Sequence, residues 1–540
     1  MNKYEIKNYD RNLMRIGLTA IYAWRPHVEH LHYLSDLLKG DGHSVSFLKC
    51  NSDVDKCYAK LLRSDRTDFM SCLRCNLGGI NSFETRGIKS IGDYKTLKDS
   101  NTINYSDKWA YSSASTLGRF ESNSDFESDD FKHLAKSLED PTKKAYLAAC
   151  AWIKSENLEA IILFNGRMDL TRGVLEAAKT CGIPFLSLER TWFGDGLQLL
   201  PNENCLGLSS IHQMMCEWRD RPLTKSQALR ASTHIASRWL GKNQKEWRAY
   251  NTSSRIIEWP IRNKKYKILL VPGSRNEVWG HCDWDSQWAQ HTDAIDSIIK
   301  KLELQPDDLL LRCHPNWAEK VGLVYGGRCE QHYVEWAKRR EIQFIPSSSS
   351  VSTLNLIEQS DAIIVCGGSA ALEAGLLGKQ VIATTPSIYD QAGFQTDAKS
   401  LEDINLLSLN IDFPLKKQQQ VAESITRQTL RFLYTMVYRV PQFVDHVRCI
   451  DTTNYEYLKG ASAKKIIDAL MIGRLLPDDE SYAENSMGED EVLKLIHLKK
   501  WDELIFANPS PPISQKQSVS RRWMYRWVDG LRNLLPRGDL

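Results

Sequence analysis

The apolar positions fall in short runs separated by stretches of helical spacing. Ile16–Tyr22 is a compact apolar run that suits a buried strand. Val28, Leu31, Leu34, Leu37 and Leu38 then share one helical face, Gly40 and Gly42 stop the helix, and Val45–Leu48 reads as the next strand. A helix near 141–154, a strand Ala160–Phe164, a helix at 171–180, a stop at Gly182 and a strand Phe185–Leu188 repeat the unit. Between them, residues 100–135 are rich in Ser, Asn, Asp and Glu and read as a long surface loop.

The second half alternates more regularly. Strands are predicted at Ile268–Val271, Leu309–Leu311, Gln343–Ile345, Ala362–Val365 and Val381–Thr384. Helices are predicted at Trp288–Leu302, 331–340, 353–359 and Ala370–Leu377. Alternation of this kind is the signature of a parallel α/β sheet. The polar, basic stretch 220–262 places a domain junction near 250–265. The resulting layout is a Rossmann-like domain over 1–255, a second over 256–410, helices packing back on the core over 411–475, and a linker with a tail over 476–540.

Composition adds limits. A chain of 540 residues, 42% hydrophobic and 25% charged, is an ordinary globular protein of two or three domains. A net charge of +3 gives no whole-chain field for nucleic acid, so none is expected as a partner. Met1–Asn12 has no apolar signal core, and no apolar run approaches the ~20 residues of a membrane span. Thirteen cysteines, an odd number, read as reduced thiols of a cytosol. Cys50, Cys57, Cys72 and Cys75 cluster and end in a C-x-x-C pair, which leaves structural zinc open beside ordinary buried thiols.

In open α/β sheets, ligands bind beyond the carboxyl ends of strands. Gly367, Gly368 and Ser369 follow a strand and precede a helix, where free N–H groups suit a phosphate; Glu373, one turn on, suits a ribose or sugar hydroxyl. The alternative is a turn that only caps a helix. Arg312, His314 and Pro315 end another strand: His314 can donate to a phosphate or act as an acid, Arg312 adds fixed charge, and Pro315 stiffens the turn. Ser274 and Arg275 could hold a phosphate or carboxylate at the opening of the second domain, with Glu277 as base or nucleophile. Asp283-Trp-Asp285 has the spacing of a metal-binding pair, but a solvated acidic loop is preferred. In the first half, Asn165, Arg167, Arg172 and Arg190 flank strand ends on the acceptor side. Glu189, anchored at a strand end, and Asp195, exposed between Gly194 and Gly196, are the candidate bases there.

Several of these pieces carry a family resemblance. Ser347–Ser352, Thr353–Asp361, Gly368-Ser369, Leu372-Glu373-Ala374, Gly378-Lys379 and Tyr389 resemble the capsule-polysaccharide synthesis proteins, which include transferases using CMP-activated Kdo. Arg312–Pro315 is similar to their His-Pro motif, and Asn165–Arg167 with Arg172, Gly182 and Glu189-Arg190 resembles related surface-carbohydrate proteins. The resemblance spans about residues 15–440. It implies a GT-B fold, two Rossmann-like domains facing across a cleft, with donor nucleotide on the second and acceptor on the first. Bacterial sialyltransferases of that fold use a serine pair and an acidic-acidic-Gly motif; here Gly368-Ser369 and Gly194-Asp-Gly196 depart from both, which weakens the choice of CMP over UDP or GDP and moves the preference from Asp195 to Glu189.

Met524, Trp527, Val528, Leu531 and Leu535 share one face of a predicted helix over 519–537, with Arg521, Arg522, Arg526, Arg532 and Arg537 around it. This is the pattern of an interfacial amphipathic helix. The combined expectation is a metal-independent glycosyltransferase, with CMP-Kdo as the favoured donor and a capsule or lipopolysaccharide glycan as acceptor. It would sit on the cytoplasmic face of the membrane with other polysaccharide-assembly proteins. A UDP- or GDP-sugar transferase, a nucleotide-sugar 2-epimerase and a non-catalytic nucleotide-sugar-binding scaffold are the alternatives.

Overall fold

The computed structural model describes residues 13–63, 67–84, 86–94, 105–246, 250–251, 254–262, 264–322, 324–506 and 515–527. The first sheet contains β1 Arg15–Thr19, β2 Ser44–Lys49, β3 Ile88–Ser90, β4 Ala160–Phe164, β5 Phe185–Arg190 and β6 Leu197–Pro201. Its order is β3-β2-β1-β4-β5-β6, parallel except for β6. The second contains β7 Ile268–Pro272 and β8 Leu309–Arg312. After a short hairpin, β9 Lys320–Val321 with β10 Val324–Tyr325, it continues with β11 Gln343–Ile345, β12 Ala362–Cys366, β13 Gln380–Ala383 and β14 Gln395–Asp397. Its order, β11-β8-β7-β12-β13-β14, is all parallel and repeats the first. Both are doubly wound sheets in which the order reverses once, between β1 and β4 and between β7 and β12. The chain is therefore an α/β protein of two Rossmann-like domains, arranged as in GT-B proteins.

The sequence explains the strands. Every residue of β4, β7, β12 and β13 is buried, as expected where helices cover both faces of a parallel sheet. The domains also exchange segments. Helices Ser209–Trp218 and Lys225–Trp239 contribute Ile211, Met215, Ala228 and Ile235 to the core of the second domain. In return, a three-stranded antiparallel sheet, β15 Val447–Cys449, β16 Tyr455–Leu458 and β17 Lys516–Gln517, with helix Lys464–Ile472, packs on the first. Tyr457 of that sheet hydrogen-bonds the buried His30 at 2.9 Å.

Two stretches differ from expectation. Residues 107–135 are not a surface loop. They form a short helical turn and helices Tyr111–Gly118 and Asn123–Glu127, then run into the long helix Asp129–Ser155. The polar residues are caps: Ser122 and Asp125 make a reciprocal capping box, and Ser128 caps the long helix. Phe120, Phe126 and Phe131 with Ala114 and Ala135 form a separate small core, on which Trp279 of the second domain stacks at 3.7 Å from Phe126. The acidic stretch 476–490 is packed, not free. Asp479 accepts from Gln227 at 2.9 Å, and Glu489 is fully buried against Arg431 at 2.8 Å.

The tail is described to Trp527, so Val528, Leu531, Arg532, Leu534, Leu535 and Arg537 lie outside the described residues. Arg521 is buried and donates to the carbonyl of Gly78 at 3.0 Å, so it docks on the first domain instead of taking part in an exposed basic face. Trp523, Met524 and Trp527 are exposed. No helix among the described residues is long and apolar enough to cross a membrane.

Candidate active site

The carboxyl ends of the two sheets meet. Arg167, in the turn after β4, donates to the backbone carbonyl of Glu277 after β7 and to Thr116 Oγ1 at 2.9 Å. On the same seam, Arg119 donates to Asn316 Oδ1 at 2.8 Å and to the Glu319 carbonyl at 2.9 Å. Trp284 donates to the Leu206 carbonyl at 2.8 Å, and Asp283 accepts from Leu208 N at 2.9 Å. Each domain thus offers its switch point, where a doubly wound sheet leaves a crevice, to the other.

At the second switch point the ends of β7 and β12 nearly touch: a Cβ on Gly273 would lie 2.7 Å from the Cys366 carbonyl. Gly367 and Gly368 then adopt φ of +77° and +97°, backbone that favours glycine. A Cβ on Gly368 would meet nothing, so its backbone is open to a ligand, while the Trp284 ring covers Gly367. Ser369 makes no side-chain cap bond, so its hydroxyl is available. Ser274 Oγ accepts from Trp317 Nε1 at 2.8 Å, which fixes it at the opening of the crevice.

His314 caps the following helical turn, its Nδ1 accepting from Asn316 N at 3.1 Å. Burial, with the charges of Arg312 and Arg119, holds the imidazole below its ordinary pKa, against the opposing pull of Glu277. A neutral ring whose Nδ1 accepts must carry its proton on Nε2, so His314 is a neutral hydrogen-bond donor. Glu277 is exposed, and its Oε1 accepts from Asn316 Nδ2 at 3.1 Å.

At the first switch point stands a pair that the sequence analysis half recognised. Glu189, the penultimate residue of β5, takes His27 Nε2 on Oε1 and Asn165 Nδ2 on Oε2 at 3.0 Å. Burial alone would raise this carboxyl. His27, Asn165 and the Arg190 N–H outweigh it and hold the pKa below its usual value. His27 Nδ1 is buried and has no hydrogen-bond partner among the described residues. Asn165, at φ +64°, uses its Oδ1 to hold Arg167 N at 3.0 Å, shaping the turn. His27 was missed because it lies eight residues beyond β1. It begins helix His27–Gly40, where the strand-end rule looks only at the first residues after a strand.

Other predicted residues lie elsewhere. Asp195 is buried, not exposed as expected: both oxygens take Lys245 Nζ at 3.0 Å, and Oδ1 takes Cys449 N at 2.8 Å. Glu373 is buried against Arg238 and presents no carboxylate to a ribose. Arg312 spends its guanidinium on carbonyls, Pro346 at 2.6 Å and Ser349 at 3.0 Å, so it braces the serine-rich loop and does not bind phosphate directly. Arg275 turns away from the crevice. It donates to Asn123 Oδ1 at 2.9 Å and lies beside the stacked rings of Phe126 and Trp279. Arg172 pairs with Glu176 at 2.6 Å, and Arg190 donates to the Lys245 carbonyl at 3.0 Å. Pro315 opens the turn that His314 caps.

Cys50, Cys57, Cys72 and Cys75 line one small apolar cavity, and burial raises the thiols of Cys50 and Cys57. Among the described residues, the one group of three ligand atoms gathered within 4.8 Å is instead His281, Cys282 and Asp283.

No family profile matches the sequence, and no curated protein matches it. Solved structures do resemble the chain in fold. Thermosulfurimonas dismutans KpsC, a beta Kdo 2,4 transferase, is 14% identical with a TM-score of 0.32, covering 65% of this chain and 88% of that one. A putative UDP-N-acetylglucosamine 2-epimerase from Listeria monocytogenes is 10% identical with a TM-score of 0.27, covering 87% and 100%. The UDP-GlcNAc 2-epimerase from Neisseria meningitidis is 13% identical with a TM-score of 0.28, covering 76% and 94%. Likenesses of this strength say nothing about activity or substrate.

Proposed function

We propose that the chain is a glycosyltransferase that binds a nucleotide sugar at the second switch point and an acceptor glycan at the first. The observation that supports this reading is the meeting of the two switch points: the Arg167 bridge to the Glu277 carbonyl sets the domain that carries His314 and the open Gly367–Ser369 turn against the domain that carries Glu189 and His27. His314 Nε2, Ser274, Ser369 and the backbone of Gly367 and Gly368 hold the donor phosphate, so its charge is met by N–H and O–H groups rather than a metal. Glu189 orients His27, which accepts the acceptor hydroxyl's proton at Nδ1. Glu277 stands at the cleft mouth as the second carboxylate available to the reaction. Arg167 and Asn165 shape the acceptor side.

The resemblance of Arg312–Pro315 and Phe344–Tyr389 to the capsule-synthesis proteins supports Kdo carried on CMP, and a capsule or lipopolysaccharide glycan as acceptor. Trp523, Met524 and Trp527, exposed beside Arg522 and Arg526, support attachment to the cytoplasmic membrane face. The test is a thermal-shift series with CMP, UDP and GDP, because a ligand that binds only the folded state raises its melting point. CMP is expected to stabilise; stabilisation by UDP and not by CMP overturns the Kdo reading. Release of a free 2-epimer from a nucleotide sugar, with no transfer to acceptor, overturns the transferase reading.

A further inference from the structure

Helices Asp129–Ser155 and Asp169–Cys181 pack on each other and against the first sheet. At their carboxyl-terminal ends, Tyr146 OH meets Thr180 Oγ1 at 3.2 Å. Cys150, one turn beyond Tyr146, and Cys181, next to Thr180, place their thiols within interaction distance of each other. Both are partly exposed, so a small oxidant can reach them. Cys181 ends its helix next to Lys154, and the Cys150 hydrogen bond, followed by the Lys154 charge, outweighs burial and draws its pKa down to about 7. Among the other cysteines, burial pushes the thiols of Cys50, Cys57, Cys205, Cys313, Cys329, Cys366 and Cys449 up. Cys216 and Cys282 are the exposed thiols.

We propose that Cys150 and Cys181 are a peroxide-oxidisable modification site that closes a disulfide across the seam of these two helices. The thiolate of Cys181 attacks one oxygen of a hydroperoxide. The O–O bond breaks, and the departing oxygen leaves as an alcohol, or as water when the oxidant is hydrogen peroxide, after taking a proton. Cys181 is now a sulfenic acid, its sulfur oxidised by two electrons and the peroxide reduced by two. Cys150 loses its proton and attacks that sulfur. The S–S bond forms, the S–O bond breaks, and water leaves. The balance is two thiols and one hydroperoxide to one disulfide, one alcohol or water, and one further water. Attack begins at Cys181 because the thiolate is the nucleophile and its fraction is greatest there. A thiol reductant restores the pair.

The test uses the full chain and hydrogen peroxide in small molar excess, read by peptide mapping without reduction. A cross-linked peptide holding Cys150 and Cys181 is expected, lighter by two hydrogens than its parts and lost on reduction. It should appear before Cys216 or Cys282 is modified. Cys150→Ser should leave Cys181 as a sulfenic acid that dimedone traps, and Cys181→Ser should leave Cys150 unmodified at the same dose. The idea is overturned if Cys216 or Cys282 oxidises first with no cross-link between Cys150 and Cys181. It is also overturned if Cys150 reacts at an undiminished rate in Cys181→Ser. Serine is close in size to cysteine, and a melting curve for each variant separates a packing loss from a loss of reactivity.

Discussion

Arg167 reaches from the turn after β4 to the backbone carbonyl of Glu277, so a side chain of the first domain fixes the loop that opens the second. A charged donor of this kind, 8% exposed, contributes more than a neutral one. Arg167→Ala is expected to lower stability by about 1.5–3 kcal/mol in chemical unfolding. Arg167→Lys should recover only part of this, since one ammonium cannot serve Glu277 and Thr116 together as the guanidinium does. Equal stability of wild type and both variants would show that the bond contributes nothing.

Glu189 and His27 act as a unit in the proposed chemistry. Glu189→Gln keeps the shape but removes the charge that holds the imidazole, and His27→Ala removes the ring. Each is expected to lower kcat by about 10²–10⁴-fold with little change in donor KM. The double variant should be hardly worse than either single one. Additive losses would place the residues in separate roles.

His314 donates as a neutral ring. Its pKa lies below the ordinary 6.5. The affinity for CMP, measured by calorimetry, should therefore stay flat as pH falls from 8 through 6.5, with no step of imidazole protonation. His314→Ala should weaken nucleotide binding by about 1–3 kcal/mol. A rise in affinity centred at 6.5 would mean that the charged ring binds the phosphate.

Glu121 is fully buried at the domain junction. It accepts from Arg275 N at 3.0 Å and from Tyr333 OH at 3.1 Å, and burial raises its pKa from 4.5 to about 7. A carboxyl whose folded pKa is raised favours folding when protonated. Its contribution is complete below 4.5 and is lost as pH rises through about 7. Over that window this one group should remove about 3 kcal/mol of stability. Glu121→Gln should flatten the slope in denaturant melts between those limits. An unchanged slope would assign the pH dependence to other groups.

The tail prediction concerns Trp523 and Trp527, 80% and 53% exposed. Replacing both with Ala leaves the Arg521 anchor in place. It should abolish co-sedimentation with vesicles containing anionic lipid, without shifting the melting point. Retained sedimentation would point to another contact surface.

Most of the fold was legible in the sequence because buried parallel strands are written as unbroken apolar runs. Ala160–Phe164 and Ala362–Cys366 cannot be mistaken for surface. The helices over 107–135 were hidden for a physical reason. Ser122, Asp125 and Ser128 have loop composition but serve as caps, and the apolar face of Phe120, Phe126 and Phe131 is too short and too interrupted to show a period. In the site, backbone features were the readable ones: Gly367, Gly368 and the His314-Pro315 turn stand where strand ends place them. Charged residues were read less well. Arg312, Arg275, Glu373 and Asp195 look like ligand groups in a line of text, yet each is spent on a partner distant in sequence. Only the folded chain shows which charged groups are already engaged.

The helical insertion has a mechanical meaning. Ser115 and Thr116 grip the Asn276 carbonyl, Arg119 grips Asn316, and Glu121 grips Arg275. Two lobes joined only by connecting chain would swing like a hinged book. Here a clasp grown from one cover closes on the other, right at the loop that carries Ser274 and Glu277. A ligand entering between the lobes would therefore meet a jaw held at a set gape, and any wider opening must undo several bonds together.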